Sequence, residues 1–504
     1  METQRTLDAS DVASGSIYLT VQSTFTNLIG IFGITYLARA ITQEQMGMLS
    51  AITLVNSFVQ VLSDFGLSSS LPKFISELRG KGKDASAHIL AASIFKVPVT
   101  LLPCLVLFIF SGEVSNTLFG STNRFDLVRL AVIDSFILGL TPIFNSTLLG
   151  SGLMKKIATI GVFSTTARWT IIVLLLLSGY GFYGTVIGWI IGDLTLLLLY
   201  VAASYRLLRR EETLFRQSIS LIPSILKFSW PLFASVIVSF LYTWYDKAII
   251  LALLPITDLG IYDVSYKAFT VLATLATALG SALYPFYGMA YGKNDHQTIS
   301  SGIKKATRYL AIIVFPLALG LFSTAKPVIT LFAGQQYQSG WVILATLAAF
   351  GLVYGLLPAF TGLLVIYEKT KTVLLLNIVP VASSLCFLPL LWILGLNGLA
   401  FIRGASLFFT LLLTVYFISK IVKVEIDKAV LKALASSAIM AATVLITQQV
   451  YYRLLFFPIY VAIGGATYFA CIRIFKVLNE SDISLIEKIL GKKLATIVRK
   501  ILIP

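Results

Sequence analysis

Long apolar runs alternate with short polar gaps along the whole of this chain. A run of about 20 apolar residues is enough to cross a bilayer as a helix. Such runs fall at roughly 16–38, 46–70, 87–110, 127–150, 157–178, 183–204, 224–251, 259–289, 307–332, 341–366, 372–393, 398–419, 429–449 and 455–474. The pattern predicts an all-α polytopic membrane protein with about 14 transmembrane helices. An even number of spans puts both termini on one side.

The charges choose the side. Lys and Arg crowd into alternate gaps: Lys73, Arg79, Lys81 and Lys83 after span 2, Lys155 and Lys156 after span 4, and Arg206, Arg209, Arg210, Arg216 and Lys227 after span 6. The same gaps recur with Lys293, Lys304, Lys305 and Arg308, then Lys369 and Lys371, then Lys420, Lys423, Lys428 and Lys432, and finally the basic tail. The opposite gaps hold only Arg39, Arg124, Lys326 and Arg453. Basic loops stay in the cytoplasm, so both termini are expected there, in a multi-pass protein of the cytoplasmic membrane. The outer gaps are short, which leaves no room for an extracytoplasmic domain.

Composition agrees. The 504 residues are 57% hydrophobic and only 12% charged, about half the charged fraction usual for a soluble domain. The net charge of +16 follows from the basic loops, and no nucleic-acid partner is expected. Cys104, Cys386 and Cys471 all lie in apolar runs and read as buried hydrophobes. Met1–Gly15 is polar and carries Glu2, Asp8 and Asp11. It has no basic region or cleavage site, so the first span is expected to act as its own insertion signal.

The largest polar break divides six spans from eight. It predicts a six-helix lobe over 1–204, a basic cytoplasmic linker over 205–222, a second six-helix lobe over 223–420, two additional helices over 421–476 and an amphipathic cytoplasmic tail over 477–504. The two lobes carry matching landmarks at a nearly constant spacing: Gly47 with Gly260, Pro72 with Pro285, and Pro142 with Pro358. Both lobes start from the cytoplasm, so this is a parallel duplication. In the tail, apolar Ile486, Ile489, Leu490, Leu494, Ile497, Val498 and Ile501 alternate at helical spacing with lysines and arginines, the pattern of an interfacial helix on anionic headgroups.

Ionisable groups inside spans are costly and face either a partner or a wet cavity. The basic ones are Lys96, Arg129, Arg168, Lys247, Lys267 and Arg403; the acidic ones are Asp64, Asp134, Asp193, Asp246 and Asp263. Asp263 and Lys267 are four apart with the acid first, the order of a helical ion pair. Arg129 lies near a span end, where it can snorkel. Lys96, Arg168, Lys247 and Arg403 come from both lobes. They suit either a cationic cavity for an anionic group such as phosphate or pyrophosphate, or separate buried ion pairs. On span 1, Ser16, Thr20, Ser23 and Asn27 share one helix face, which suits contact with sugar or water, or hydrogen bonds to another helix. No phosphate-binding GxxxxGK[ST] loop, GxSxG motif or histidine–cysteine cluster occurs. No ATP motor, metal or other cofactor is expected, and scattered outer-loop acids argue against an enzyme.

Several short motifs then occur in a fixed order: Leu37-Ala38-Arg39, the turn Gln43-Glu44-Gln45-Met46-Gly47, Asp64-Phe65-Gly66-Leu67 running into Ser70-Leu71-Pro72-Lys73, Pro231 and Asp246 in span 7, and Gly260-Ile261-Tyr262 opening span 8. Together they resemble the multidrug/oligosaccharidyl-lipid/polysaccharide exporter superfamily, and within it the Wzx-type polysaccharide flippases. The resemblance implies a flippase that moves a polyprenyl phosphate- or pyrophosphate-linked oligosaccharide across the cytoplasmic membrane by alternating access, for polysaccharide or glycan assembly. Its expected partners are that substrate, membrane lipid and glycosyltransferases of the same pathway, and it is expected to work as a monomer. Substrate contact is expected from Lys96, Arg168, Lys247, Lys267, Arg403, Arg39, Asn27, Ser23 and Thr20. Arg39 and Lys267 answer only loosely to the basic residues that related lipid II flippases place in their cavity. Drug antiporters of the superfamily carry carboxylates in span 1; that span is uncharged here, so Asp246 and Asp64 are the expected coupling-ion residues. The alternatives are a cation-coupled multidrug exporter and, from another class, a membrane glycosyltransferase or ligase.

The topology is testable directly. In a chain freed of its three cysteines, Lys83→Cys should react with an impermeant thiol reagent only from the cytoplasmic face and Ser121→Cys only from the outer face. Labelling of both from one face would break the assignment.

Overall fold

The computed structural model describes residues 9–205, 207, 214–281, 283–293, 295–478, 482 and 499. Every regular element among them is helical. Twelve of these helices are long and apolar enough to cross a membrane. The predicted span over 259–289 is helical as far as Ser281 but is not one of the twelve, and the stretch Lys371–Cys386 is apolar but shorter. The chain divides into two compact units, Met1–Gly260 and Ile261–Pro504.

The first unit contains α1 (Ala9–Ala40), α2 (Gln43–Asp64), α3 (Leu67–Gly80), α4 (Ser86–Ile109), α5 (Ser111–Phe119), α6 (Phe125–Gly150), α7 (Met154–Leu177), α8 (Gly181–Tyr205) and α9 (Leu214–Leu253). The opening turn of α10 (Ile256–Ser281) completes it. A Thr42 capping box with Gln45 starts α2 by satisfying two otherwise open backbone groups. The apolar run 46–70 is not one helix. Phe65 (φ 47°) and Gly66 (φ 73°) both turn left-handed and break it into α2 and α3. The reason is tertiary: a Cβ on Gly66 would lie 2.4 Å from the Ser229 carbonyl oxygen of α9. Phe65 stacks on Phe233 with ring centroids 4.7 Å apart, and the Ser229 hydroxyl donates to Ser70 at 2.6 Å. Around this contact Leu67, Leu71, Ile75, Ile89, Ile143 and Ile225 form a buried cluster from α3, α4, α6 and α9.

That cluster explains where the units part. The helix α9 begins at Leu214, inside the stretch read as a linker, and packs against α2, α3 and α4, so the contact boundary falls after Gly260. The remainder of that linker, Arg206 and 208–213, lies outside the described residues.

The second unit holds most of α10, then α11 (Tyr284–Gly292), α12 (His296–Ser323), α13 (Ala325–Ala333), α14 (Trp341–Ala349), α15 (Gly351–Ile366), α16 (Thr370–Cys386), α17 (Pro389–Ser419), α18 (Lys428–Val450) and α19 (Phe457–Ile474). The first turn or so of α17 is set off by Gly395, at φ 57° and ψ −142°, a conformation only glycine adopts easily. This kink falls in the gap predicted between the spans ending at 393 and starting at 398. The last two helices are fastened to α12. The Tyr468 hydroxyl donates to the Ile312 carbonyl at 2.6 Å and Gln448 to that of Ser323 at 2.8 Å. Arg308 reaches the Val477 carbonyl and the Asp482 carboxylate. The amphipathic tail expected over 477–504 lies almost wholly outside the described residues.

The element order of the two units runs in parallel. The long–short pair α2–α3 corresponds to α10–α11. The short helix α5 after α4 corresponds to α13 after α12, and each is followed by a 3₁₀ turn before the next long segment. Corresponding positions even touch one another in the first unit. A Cβ on Gly47 would lie 1.9 Å from the Ile256 carbonyl oxygen, and one on Gly260 2.1 Å from that of Gln43. In each helix the glycine stands one turn past the carbonyl that its partner admits.

The two left-handed glycines of the α2–α3–α4 region separate strain from packing. Gly82 has φ 67° and open space where a Cβ would go. Gly82→Ala should cost about 1 kcal/mol, from backbone strain alone. Gly66→Ala adds a clash with fixed backbone and should cost roughly 3 kcal/mol or more. Thermal unfolding in detergent measures both; equal shifts would remove the α9 contact as the reason for the turn.

Candidate functional site

Helix α1 has three faces. At 100° per residue, Ser16, Thr20, Ser23 and Asn27 share an arc of about 60°. Gly15, Gln22 and Gly33 form a second face, packed on Met154, Gly161 and Trp169 of α7. Ile17, Val21, Phe25, Leu28 and Phe32 form a third, apolar and exposed. The three faces are about a third of a turn apart. Thr20, Ser23 and Asn27 are exposed. The Thr20 and Ser23 hydroxyls donate within their own helix, to Ser16 O at 2.9 Å and Thr20 O at 3.0 Å. Those donors are thereby satisfied, while the hydroxyl lone pairs remain available to an outside donor. The polar stripe is therefore separate from both the packing face and the apolar face suited to lipid.

The predicted cations differ in burial and in what they face. Lys96 is sealed, at 1% exposure, with Nζ 3.4 Å from Asp64 Oδ1. Asp64 also accepts from the Ser68 hydroxyl. This pair ties α2 to α4 and matches Lys96 to a buried counter-charge, the ion pair that was the alternative to a cavity role. Arg168 and Lys267 are different. Arg168 lies 3.0 Å from Asp193, with side-chain exposures of 30% and 5%. Lys267 lies 2.7 Å from Asp263, with 31% and 1%. In both, the carboxylate is shut away and the cation keeps an open side. The Asp263–Lys267 pair is the one expected from its spacing.

Lys247 and Arg403 are mostly buried against rings. Lys247 Nζ sits 4.6 Å from the Trp244 ring centre, and Asp246 Oδ1 accepts the Lys247 backbone N–H at 2.9 Å. Arg403 of α17 donates to the Tyr266 hydroxyl of α10 at 2.8 Å, with its guanidinium 4.6 Å from that ring centre. Arg168 likewise stands 5.3 Å from the Trp189 ring centre. An aromatic face stabilises a cation without neutralising it. Arg39 is exposed in the last turn of α1, where a positive charge opposes the helix dipole favourably. No group of three or more histidine, cysteine or acidic residues able to hold a metal occurs among the described residues.

The rings Trp189, Trp244 and Tyr266 escaped the sequence reading, as did Asn56. Helical spacing hinted at two of them, since Trp244 precedes Lys247 by three and Trp189 precedes Asp193 by four. Asn56 carries no charge and is marked only by what it touches: its amide donates to Asp134 at 2.7 Å and accepts from Ser135 at 2.7 Å.

A family model described as "Polysaccharide biosynthesis protein" matches residues 36–341. The chain belongs to this family. Among curated relatives of this polysaccharide biosynthesis protein, one from Haloferax volcanii, named "Probable low-salt glycan biosynthesis flippase Agl15", is 24% identical over 67% of this chain and 68% of its own. The "Succinoglycan biosynthesis transport protein ExoT" of Rhizobium meliloti is 23% identical over 63% of each chain. The "Lipopolysaccharide biosynthesis protein WzxC" of Escherichia coli is 21% identical over 64% of each. Among solved structures, the inward closed lipid II flippase MurJ matches with a TM-score of 0.75 and 17% identity, covering 91% of this chain and 98% of that one. An inward-facing multidrug transporter of the MATE family in the MOP superfamily matches at 0.60 and 14%, covering 81% and 98%. The polysaccharide biosynthesis protein thus has the MurJ/MATE-like fold.

The sealed pair can be separated from the open ones by stability. Asp64→Asn strands a buried ammonium and should cost about 3–5 kcal/mol. Adding Lys96→Met should recover most of the loss, as read by thermal unfolding in detergent. A stable Asp64→Asn protein would mean the pair does not hold α2 to α4.

Proposed function

We propose that this protein is a flippase for a lipid-linked oligosaccharide, carried on polyprenyl phosphate or pyrophosphate, and that it supplies polysaccharide or glycan assembly. The reading is supported by family membership and by relatives named for glycan, succinoglycan and lipopolysaccharide biosynthesis. The observation that carries it is chemical. On the membrane-spanning helix α7 Arg168, and on α10 Lys267, keep an open side while their counter-charges are buried. Anions bind such half-neutralised cations through charge-assisted hydrogen bonds without a large uncompensated charge in the empty protein.

In this reading Arg168, Lys267, Lys247, Arg403 and Arg39 serve the phosphate charge. The Thr20–Ser23–Asn27 stripe serves the sugar. The two repeats supply the halves that alternating access needs. The protein is a transporter and not an enzyme. It sits in the cytoplasmic membrane with both termini in the cytoplasm, and as a monomer receives substrate from glycosyltransferases of its pathway.

The test is translocation of a fluorescent polyprenyl-diphosphate oligosaccharide in proteoliposomes. A lost charge-assisted hydrogen bond, about 1.5–3 kcal/mol, corresponds to roughly a 10- to 100-fold slower rate for Arg168→Ala and Lys247→Ala. Arg168→Lys and Lys247→Arg should retain most of the activity. Full activity of both alanine variants would remove these cations from the site, and no translocation by the unaltered protein would end the reading.

A further inference from the structure

Two carboxyl groups in the first unit face each other in the apolar interior. Asp134 on α6 and Asp193 on α8 are 1% and 3% exposed and lie within hydrogen-bonding range of one another. Each is held from behind. Asn56 of α2 donates to Asp134 Oδ2 at 2.7 Å, and is itself oriented by the Ser135 hydroxyl on its amide oxygen at 2.7 Å. Arg168 of α7 donates to Asp193 Oδ1 at 3.0 Å. The other oxygen of each, Asp134 Oδ1 and Asp193 Oδ2, is buried and accepts no N–H or O–H.

The charge around them does not balance. The charged groups acting on the pair are the two carboxylates themselves and Arg168; α2 contributes the neutral Asn56 amide. Among the described residues the ion pairs of Glu77 on α3 and Glu44 on α2 are exposed, and the buried pair on the helices packed against α6, Asp64 with Lys96, is closed on itself. Along α2 it stands about 12 Å from Asn56, at 1.5 Å per residue. Two ionised carboxylates with one guanidinium leave a net negative charge in low dielectric, and carboxyl oxygens that meet repel unless a proton lies between them.

We propose that Asp134 and Asp193 form a proton-binding site in which the pair shares one proton between Asp134 Oδ1 and Asp193 Oδ2. One proton gives both orphaned oxygens a partner and brings the cluster with Arg168 to neutrality. The only bond made or broken is O–H; the proton comes from water and returns to it. Resting on the flippase reading, the site has a consequence. An anionic headgroup drawn to the open side of Arg168 competes with Asp193 for the guanidinium. The less Asp193 is neutralised by Arg168, the more strongly the pair holds its proton. By linkage, protonation in turn frees Arg168 for the anion. Asp64, one of the expected coupling-ion residues, is engaged instead with Lys96.

Infrared difference spectroscopy of the purified full-length protein reads the proton without any substrate. A pH titration should show one protonated-carboxyl C=O stretch that shifts in D₂O. Both Asp134→Asn and Asp193→Asn should lose it, because a shared proton needs both groups. Persistence of the band in both variants, or no such band in the unaltered protein at any pH where it stays folded, would overturn the proposal. So would removal of the band by sodium at constant pH, which would make this a sodium site. Because the unaltered protein alone can give a negative result, the test survives misfolding of a variant. In proteoliposomes, an imposed pH gradient should accelerate translocation by the unaltered protein, and Asp134→Asn should lose that acceleration. Absence of all translocation would sink the flippase reading while leaving the infrared result standing. A gradient response that survives in folded Asp134→Asn would sink the coupling.

Discussion

The bilayer interior allows no unsatisfied charge or backbone group, and that constraint organises the whole molecule. Backbone groups are satisfied by helix, so every regular element described is helical. Charges are satisfied by proximity to an opposite charge or to a ring. Asp64 serves Lys96, Asp193 serves Arg168 and Asp263 serves Lys267, while Trp244 and Tyr266 support Lys247 and Arg403. The same constraint gives these groups their use. A cation whose counter-charge is sealed behind it can accept an anion from its open side at little cost, because the empty site is already neutral.

Each of the two units carries this arrangement, but not in the same form. The open cation of the first unit bridges two helices, Arg168 on α7 to Asp193 on α8, whereas that of the second lies within one helix, Lys267 to Asp263 on α10. The element order is preserved between repeats, down to the short helices α5 and α13. The polar chemistry is not. Asn56, Asp134 and Asp193 belong to the first unit, and the Arg403–Tyr266 contact to the second.

The last two helices add anchoring. Contacts from α18 and α19 to α12 run through Tyr468 and Gln448, and the chain beyond α19 returns to Arg308 through Val477 and Asp482. Arg308 lies in the basic gap read as cytoplasmic. The same side chain is a clamp on the chain that follows the last span.

By itself the amino-acid order determined the helical membrane class, most of the span positions and the i to i+4 pair of Asp263 with Lys267. Each is a local or periodic property: hydropathy over about 20 residues, or two residues one helical turn apart. The break at Phe65–Gly66 was not legible, because Gly66 is a single glycine within the run 46–70 and what ends α2 is the Ser229 carbonyl of a helix more than 150 residues away. Nor was it legible which cations stay open. Lys96 and Arg168 look alike in sequence, each a lone positive charge in an apolar run. Only the packing of α2 on α4 closes the first, and only the placement of α8 beside α7 leaves the second half free. The same holds for Asp134 and Asp193, two scattered acids that become one site because helix packing brings their carboxyls face to face, a proximity that no one-dimensional pattern encodes.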